Sequence, residues 1–210
     1  MNRGELQTPP PPGTPLKCAL AGGMVAQLAH SGVYLGRGRV AELRGDGAVV
    51  AVSLSDFLNG PAGDWNPAAL RTGFRIHAAC DAANGMPVAS ESAAAEARKL
   101  TVGHRGSLRL EYDLIGWNCH RFTAGCIAGQ FGGAEGGIWM LERLEAVISR
   151  FLNGGRAVCW RAVAPATPGF RYAATPGKHL QRWGVLAGLG ILAGLGIHHG
   201  MDKFGGKNRG

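Results

Sequence analysis

No two of the five cysteines, Cys18, Cys80, Cys119, Cys126 and Cys159, stand in a CxxC spacing, and an odd number cannot all pair. That argues against a disulfide-stapled secreted domain and against a thioredoxin-type redox pair. The N-terminal stretch MNRGELQTPPPPGTP has no apolar core of the kind a secretory signal needs. The expected setting is therefore reducing and cytosol-facing. Charge is scarce too: 17% of the 210 residues are charged against 46% hydrophobic, which excludes wholesale disorder. Zinc-finger spacing, RNA-binding signatures and interleaved basic and aromatic residues are all missing, so no nucleic-acid partner is expected. His77, His104 and His120 do not stand in a metal-ligand spacing, and neither a metal nor a cofactor is expected.

What the chain does have is glycine, 35 residues of it, and a net charge of +8. Arg171, Lys178, Arg182, Lys203, Lys207 and Arg209 face only Asp202 over residues 171–210, so most of the excess lies there. Within that stretch WGVLAGLGILAGLGI, residues 183–197, is wholly uncharged. As a helix it would be about 22 Å long, short of the ~30 Å hydrocarbon core of a bilayer. Gly184/Gly188 and Gly190/Gly194 form GxxxG pairs, which favour close helix contact in membranes. Flanking basic residues suit an anionic headgroup surface. A C-terminal membrane anchor or shallow insertion over 183–210 is expected, with a buried or oligomerising segment as the alternative.

The remaining chain divides by composition. Residues 1–15 are proline-rich and read as an extended, poorly ordered lead-in. Residues 16–164 mix strand and helix patterns, and 165–182 read as a Pro/Gly linker. SGVYLG, RVAELR and AVVAVSL predict three strands joined by turns at Gly36-Arg37-Gly38 and Gly45-Asp46-Gly47. SDFLNG predicts a short helix capped by Ser55, GFRIHAAC a further strand, and SESAAAEARKL, residues 90–100, a helix capped by Ser90 or Ser92. Helices are also predicted over 119–129 and 138–151, the latter with Leu141, Leu144, Ile148 and Phe151 as its apolar stripe. RAVCWRAVA closes the domain as a strand. The fold class expected is α+β.

In NCHRFTAGC, Asn118 is placed as an N-cap, which puts Cys119 in the first turn of a helix. There the thiol meets amides without intrahelical partners and the positive end of the helix dipole, an environment that stabilises a thiolate. Phe122 and Cys126, at i+3 and i+7, share its inward stripe. A nucleophile needs a base. A hairpin centred on Arg37 sets Gly32 opposite Glu42 and His30 opposite Arg44, so that His30 and Glu42 become diagonal neighbours on one face. A carboxylate touching an imidazole fixes its tautomer and favours the imidazolium. The alternative is a buried, inert Cys119 with His30 and Glu42 as ordinary strand residues.

Three stretches in order, HSGVYLGRGRVAEL, VSLSDFL and AAEARKLTVGHRGSLRLEYDLIGWNCHRF, resemble the lecithin retinol acyltransferase family over roughly residues 28–130. That family lies in the circularly permuted branch of the papain-like (NlpC-type) superfamily. The resemblance implies His30 as base, Glu42 as the polar third member and Cys119 as nucleophile, with Tyr112, Asn118 and Phe122 as framework. Tyr112, Trp117, Asn118 and His120 are candidates to border the pocket. It also implies an antiparallel sheet packed against helices, one starting at the nucleophile, followed by a hydrophobic C-terminal tail. The chain departs from the pattern at His120-Arg121, where the family carries Glu-His. The third member is often His in vertebrate members, and the family's opening Gly-Asp is absent. The expected function is a thiol-dependent acyltransferase or hydrolase at the cytoplasmic face of a membrane, acting through an acyl-thioester on an acylated substrate, with a lipid the one expected. Rivals are a cysteine peptidase or amidase of the same fold, and a non-catalytic membrane adaptor.

Overall fold

The computed structural model describes residues 4–19, 29–59, 75–102, 117–131, 139–165 and 167–172. In chain order the elements are β1 (Pro15–Ala19), β2 (Ala29–Gly36), β3 (Arg39–Leu43), β4 (Val49–Ser53), α1 (Leu54–Asn59), β5 (His77–Asp81), α2 (Glu91–Val102), α3 (Cys119–Ala128), α4 (Leu141–Leu152) and β6 (Val158–Ala162). The six strands form one antiparallel sheet in the order β4-β3-β2-β1-β5-β6. With the four helices among the described residues the architecture is α+β, as the alternating patterns predict.

The β2–β3 hairpin shows why the register is what it is. Arg37 and Gly38 form its two-residue loop with φ of 50° and 70°, and Gly36 before them has φ 88°. Positive φ at both loop positions matches the right-handed twist of the flanking strands, and the left-handed Gly36 absorbs a one-residue irregularity. Beyond it Tyr34 pairs with Val40 and Val33 with Ala41, which is the register expected from the sequence.

Strand alternation then sorts the core into two faces. Tyr34, Val40, Val52, Leu16 and Cys18 pack with Phe57 and Leu58 of α1, while Val33, Ala41, Leu43 and Val49 pack with Phe122 and Cys126 of α3 and Ala97 of α2. A further cluster joins Ala79 of β5 to Leu144 and Ile148 of α4. Gly32 lies where the hairpin is tightest. A Cβ there would stand 2.5 Å from the Ala41 carbonyl oxygen and 2.9 Å from Val40 Cγ1. Gly32→Ala is expected to cost about 1–3 kcal/mol through overpacking, read as a lower midpoint of denaturant unfolding with an unchanged slope.

Several expectations need correction. Residues 4–15 are not a loose lead-in. Leu6 is buried and exchanges backbone hydrogen bonds with Ala162 and Ala164 (2.8 and 3.0 Å), and Gly13 N donates to Tyr34 O at 2.7 Å. The stretch PLKCA is itself a central strand, too short beside a proline run to stand out by pattern. The linker expected from 165 begins later, because Phe170 and Tyr172 fold back into the core. Tyr172 Oη donates to Val163 O and accepts from Ile76 N. Ser53, rather than Ser55, caps α1 by accepting from Asp56 N at 3.1 Å. In α4 the stripe holds for Leu141, Leu144 and Ile148, but Phe151 is half exposed. The tail 183–210, and with it the expected anchor, lies outside the described residues. Among the described residues no helix is long and apolar enough to cross a membrane.

Candidate active site

Asn118 enters α3 in an extended conformation, φ −125° and ψ −176°, and its side-chain oxygen accepts from the amides of His120 (3.0 Å) and Arg121 (3.2 Å). This is the N-cap expected from the sequence. The Asn118 amide group donates in turn to the Trp139 carbonyl at 2.7 Å, tying the start of α3 to the segment before α4. Cys119 is therefore the first helical residue, buried at the end of the helix where amides outnumber carbonyls. The cap takes up the His120 and Arg121 amides, and the Cys119 amide is outside it.

Glu42 on β3 is fully buried and accepts from His30 Nε2 at 2.9 Å through one oxygen and from Arg44 Nε at 3.3 Å through the other. A buried carboxylate requires such partners. His30 also lies against Phe57 of α1, ring centroids 5.2 Å apart. The structure thus brings His30 and Glu42 together as the hairpin register implies. Arg44, opposite His30 in that register, is a third member to which the sequence reading gave no role.

Cys119 Sγ lies 4.0 Å from the carbonyl oxygen of Ala29, in the peptide that joins Ala29 to His30. The start of α3 therefore meets the start of β2 at the residue before the candidate base. No disulfide engages any of the five cysteines. Burial pushes the Cys126 thiol well above its usual range and that of Cys80 up to about 12, the environment of inert core thiols.

His120, the point of departure from the family pattern, is buried on the opposite face of β2 from His30. Its Nδ1 is 2.9 Å from Ser31 Oγ, which is 3.1 Å from Thr123 Oγ1, which donates to the Cys119 carbonyl at 2.9 Å. Desolvation, then the nearby charges of His30 and Lys17, hold His120 down to about 3 from its ordinary 6.5. It is a neutral imidazole at physiological pH. Ser31 and Thr123 were missed in the sequence. The signal available for Ser31 was alternation, which turns it toward α3 when His30 turns toward α1.

Trp117 is half-buried with the Arg121 guanidinium 4.5 Å from its ring, so a cation covers one face of a residue expected to border the pocket. Tyr112 lies outside the described residues. Among those described, no group of three or more His, Cys, Asp or Glu side chains gathers as metal ligands would.

Fold and site together define an α+β protein in which a helix-capped cysteine meets the strand that carries a buried histidine–carboxylate pair. The chain matches no protein-family model, no curated protein and no solved structure.

Proposed function

We propose that the chain is a thiol-dependent acyltransferase or hydrolase of the lecithin retinol acyltransferase type, with the permuted papain-like arrangement of that family. The observation that carries this reading is the buried His30–Glu42 pair at 2.9 Å, on the strand whose first peptide touches Cys119 Sγ. Glu42 holds the Nε2–H of His30, which makes Nδ1 the nitrogen that exchanges protons with the thiol.

In the reaction, His30 takes the Cys119 proton and the sulfur adds to the carbonyl carbon of an ester or amide. The carbonyl electron pair moves to oxygen. When the tetrahedral adduct collapses, the C–O or C–N bond breaks and the leaving group departs with the proton from His30. Water or an amine then attacks the acyl-thioester and gives its proton to His30, and the C–S bond breaks to restore the thiol. The neutral His120 is too weak a base to serve in His30's place. The uncharged, glycine-rich segment 183–197 between basic residues supports a substrate presented at a membrane surface on the cytoplasmic side.

Incubation of the purified chain with phospholipid vesicles, and separately with peptide amides, tests the reading. The expected outcome is an acyl adduct on the Cys119 peptide from the phospholipid, visible by mass spectrometry and lost in His30→Ala. An adduct from peptide amides alone would make the protein a peptidase or amidase of the same fold. Labelling of Cys119 by a thiol-directed probe no faster than that of Cys159, and unchanged in His30→Ala, would instead support a non-catalytic adaptor.

A further inference from the structure

His120 and His30 lie on opposite faces of one strand, and their hydrogen bonds fix opposite tautomers. Thr123 has one hydroxyl hydrogen and spends it on the Cys119 carbonyl. In the 3.1 Å contact between Ser31 and Thr123, Ser31 must therefore be the donor. Its single hydrogen is then spent as well, so in the 2.9 Å contact with His120 the imidazole donates. The chain of donors runs His120 Nδ1–H to Ser31, Ser31 to Thr123, and Thr123 to Cys119 O. Any other assignment loses one of three buried hydrogen bonds.

With Nδ1 protonated and the ring neutral, Nε2 carries a lone pair. Among the described residues nothing donates to it, although His120 is only 6% exposed. On so buried a residue such an acceptor is met only by water or a ligand that reaches it. It sits on the residue next to Cys119.

We infer that His120 presents Nε2 as a fixed hydrogen-bond acceptor beside Cys119, where it engages an N–H or O–H group of the bound acyl substrate. This inference rests on Cys119 being the reacting thiol. It makes His120 a positioning residue that orients the substrate, and it gives the replacement of the family's Glu at this position a chemical meaning. A carboxylate accepts hydrogen bonds but brings a charge, whereas this imidazole accepts without one.

The test uses the full chain and two alkylating probes from which the Cys119 sulfur displaces iodide to form a C–S bond, iodoacetamide, which carries N–H donors, and methyl iodoacetate, which carries none. Rates are read at the Cys119 peptide by mass mapping. In His120→Asn the side-chain amide replaces the Nδ1 donor to Ser31 and the Nε2 acceptor is gone. In His120→Gln an amide oxygen stands near the Nε2 position. The iodoacetamide preference of the wild type is expected to fall about tenfold in His120→Asn, the value of one hydrogen bond, and to be largely kept in His120→Gln. Nitrogen-15 spectra of the wild type give a readout that needs no variant and are expected to show His120 protonated on Nδ1 at neutral pH.

An unchanged preference in His120→Asn, or protonation on Nε2, would overturn the inference while leaving Cys119 as the fast-reacting thiol and the proposed function intact. Alkylation of wild-type Cys119 no faster than Cys159 would remove both.

Discussion

Replacing Glu42 with glutamine should lower the rate of acyl-thioester formation by roughly 10²–10⁴-fold, a loss of the size seen when the orienting carboxylate of a catalytic histidine becomes an amide. The carboxylate serves two donors at once, His30 Nε2 at 2.9 Å and Arg44 Nε at 3.3 Å. An amide cannot. If its oxygen faces His30, its NH2 group meets the Arg44 N–H, two donors in a fully buried place. If it turns over, it donates to His30 Nε2 and forces the proton onto Nδ1, the nitrogen proposed to accept from the thiol. Both arrangements leave an error that desolvation makes expensive. Single-turnover kinetics of the adduct, followed by mass spectrometry, measure the effect. A variant within threefold of the wild type would show that Glu42 has no part in the chemistry.

Acid should destabilise the protein through His120. In the fold this imidazole stays neutral down to about pH 3, while in the unfolded chain it takes up a proton near its ordinary 6.5. Between those two values the unfolded state binds more protons, so stability falls as pH drops, by about 1.4 kcal/mol per pH unit within the window. Above pH 6.5 this group contributes no slope. Burial holds His77 down in the same way, with Lys17 beside it, so the wild-type curve contains more than one group. The difference between wild type and His120→Gln isolates one of them. The gap in unfolding free energy between the two should narrow steadily as pH is lowered from 6.5. Parallel curves would mean that the His120 ring is protonated in the fold.

The site was legible where its geometry is local. Two residues of hairpin loop set the register of β2 against β3, so His30 and Glu42 could be placed on one face by counting from Arg37. An Asn before a helical stripe located the cap and, with it, Cys119. The Ser31–Thr123–His120 chain was not legible, because it joins positions 89 and 92 residues apart, and three common side chains at that separation carry no pattern. The lead-in misled for a related reason. Proline disfavours a helix or a central strand, but it says nothing about where an extended segment docks. Here that was decided by Leu6, which a parallel bridge holds beside Val163 at the other end of the domain.

The family resemblance and the structure meet unevenly. The order of His30, Glu42 and Cys119 along the chain is a statement about sequence, and the buried His30–Glu42 pair, on a strand whose first peptide meets Cys119, is what the structure adds to it. At His120-Arg121 the chain leaves the pattern, and there the two side chains part company, His120 turning under the helix to Ser31 and Arg121 turning out over Trp117.

His30 and Ser31 are consecutive, yet one belongs to a charged network on one side of the sheet and the other to an uncharged one on the far side. Nothing but the pleat of β2 keeps the networks separate. The loop of Arg37 and Gly38 is therefore a ruler as well as a turn. Lengthened or shortened by one residue, it would deliver a serine hydroxyl to Glu42 and an imidazole to His120, and every side chain of the site would be present at an address where it has no work to do.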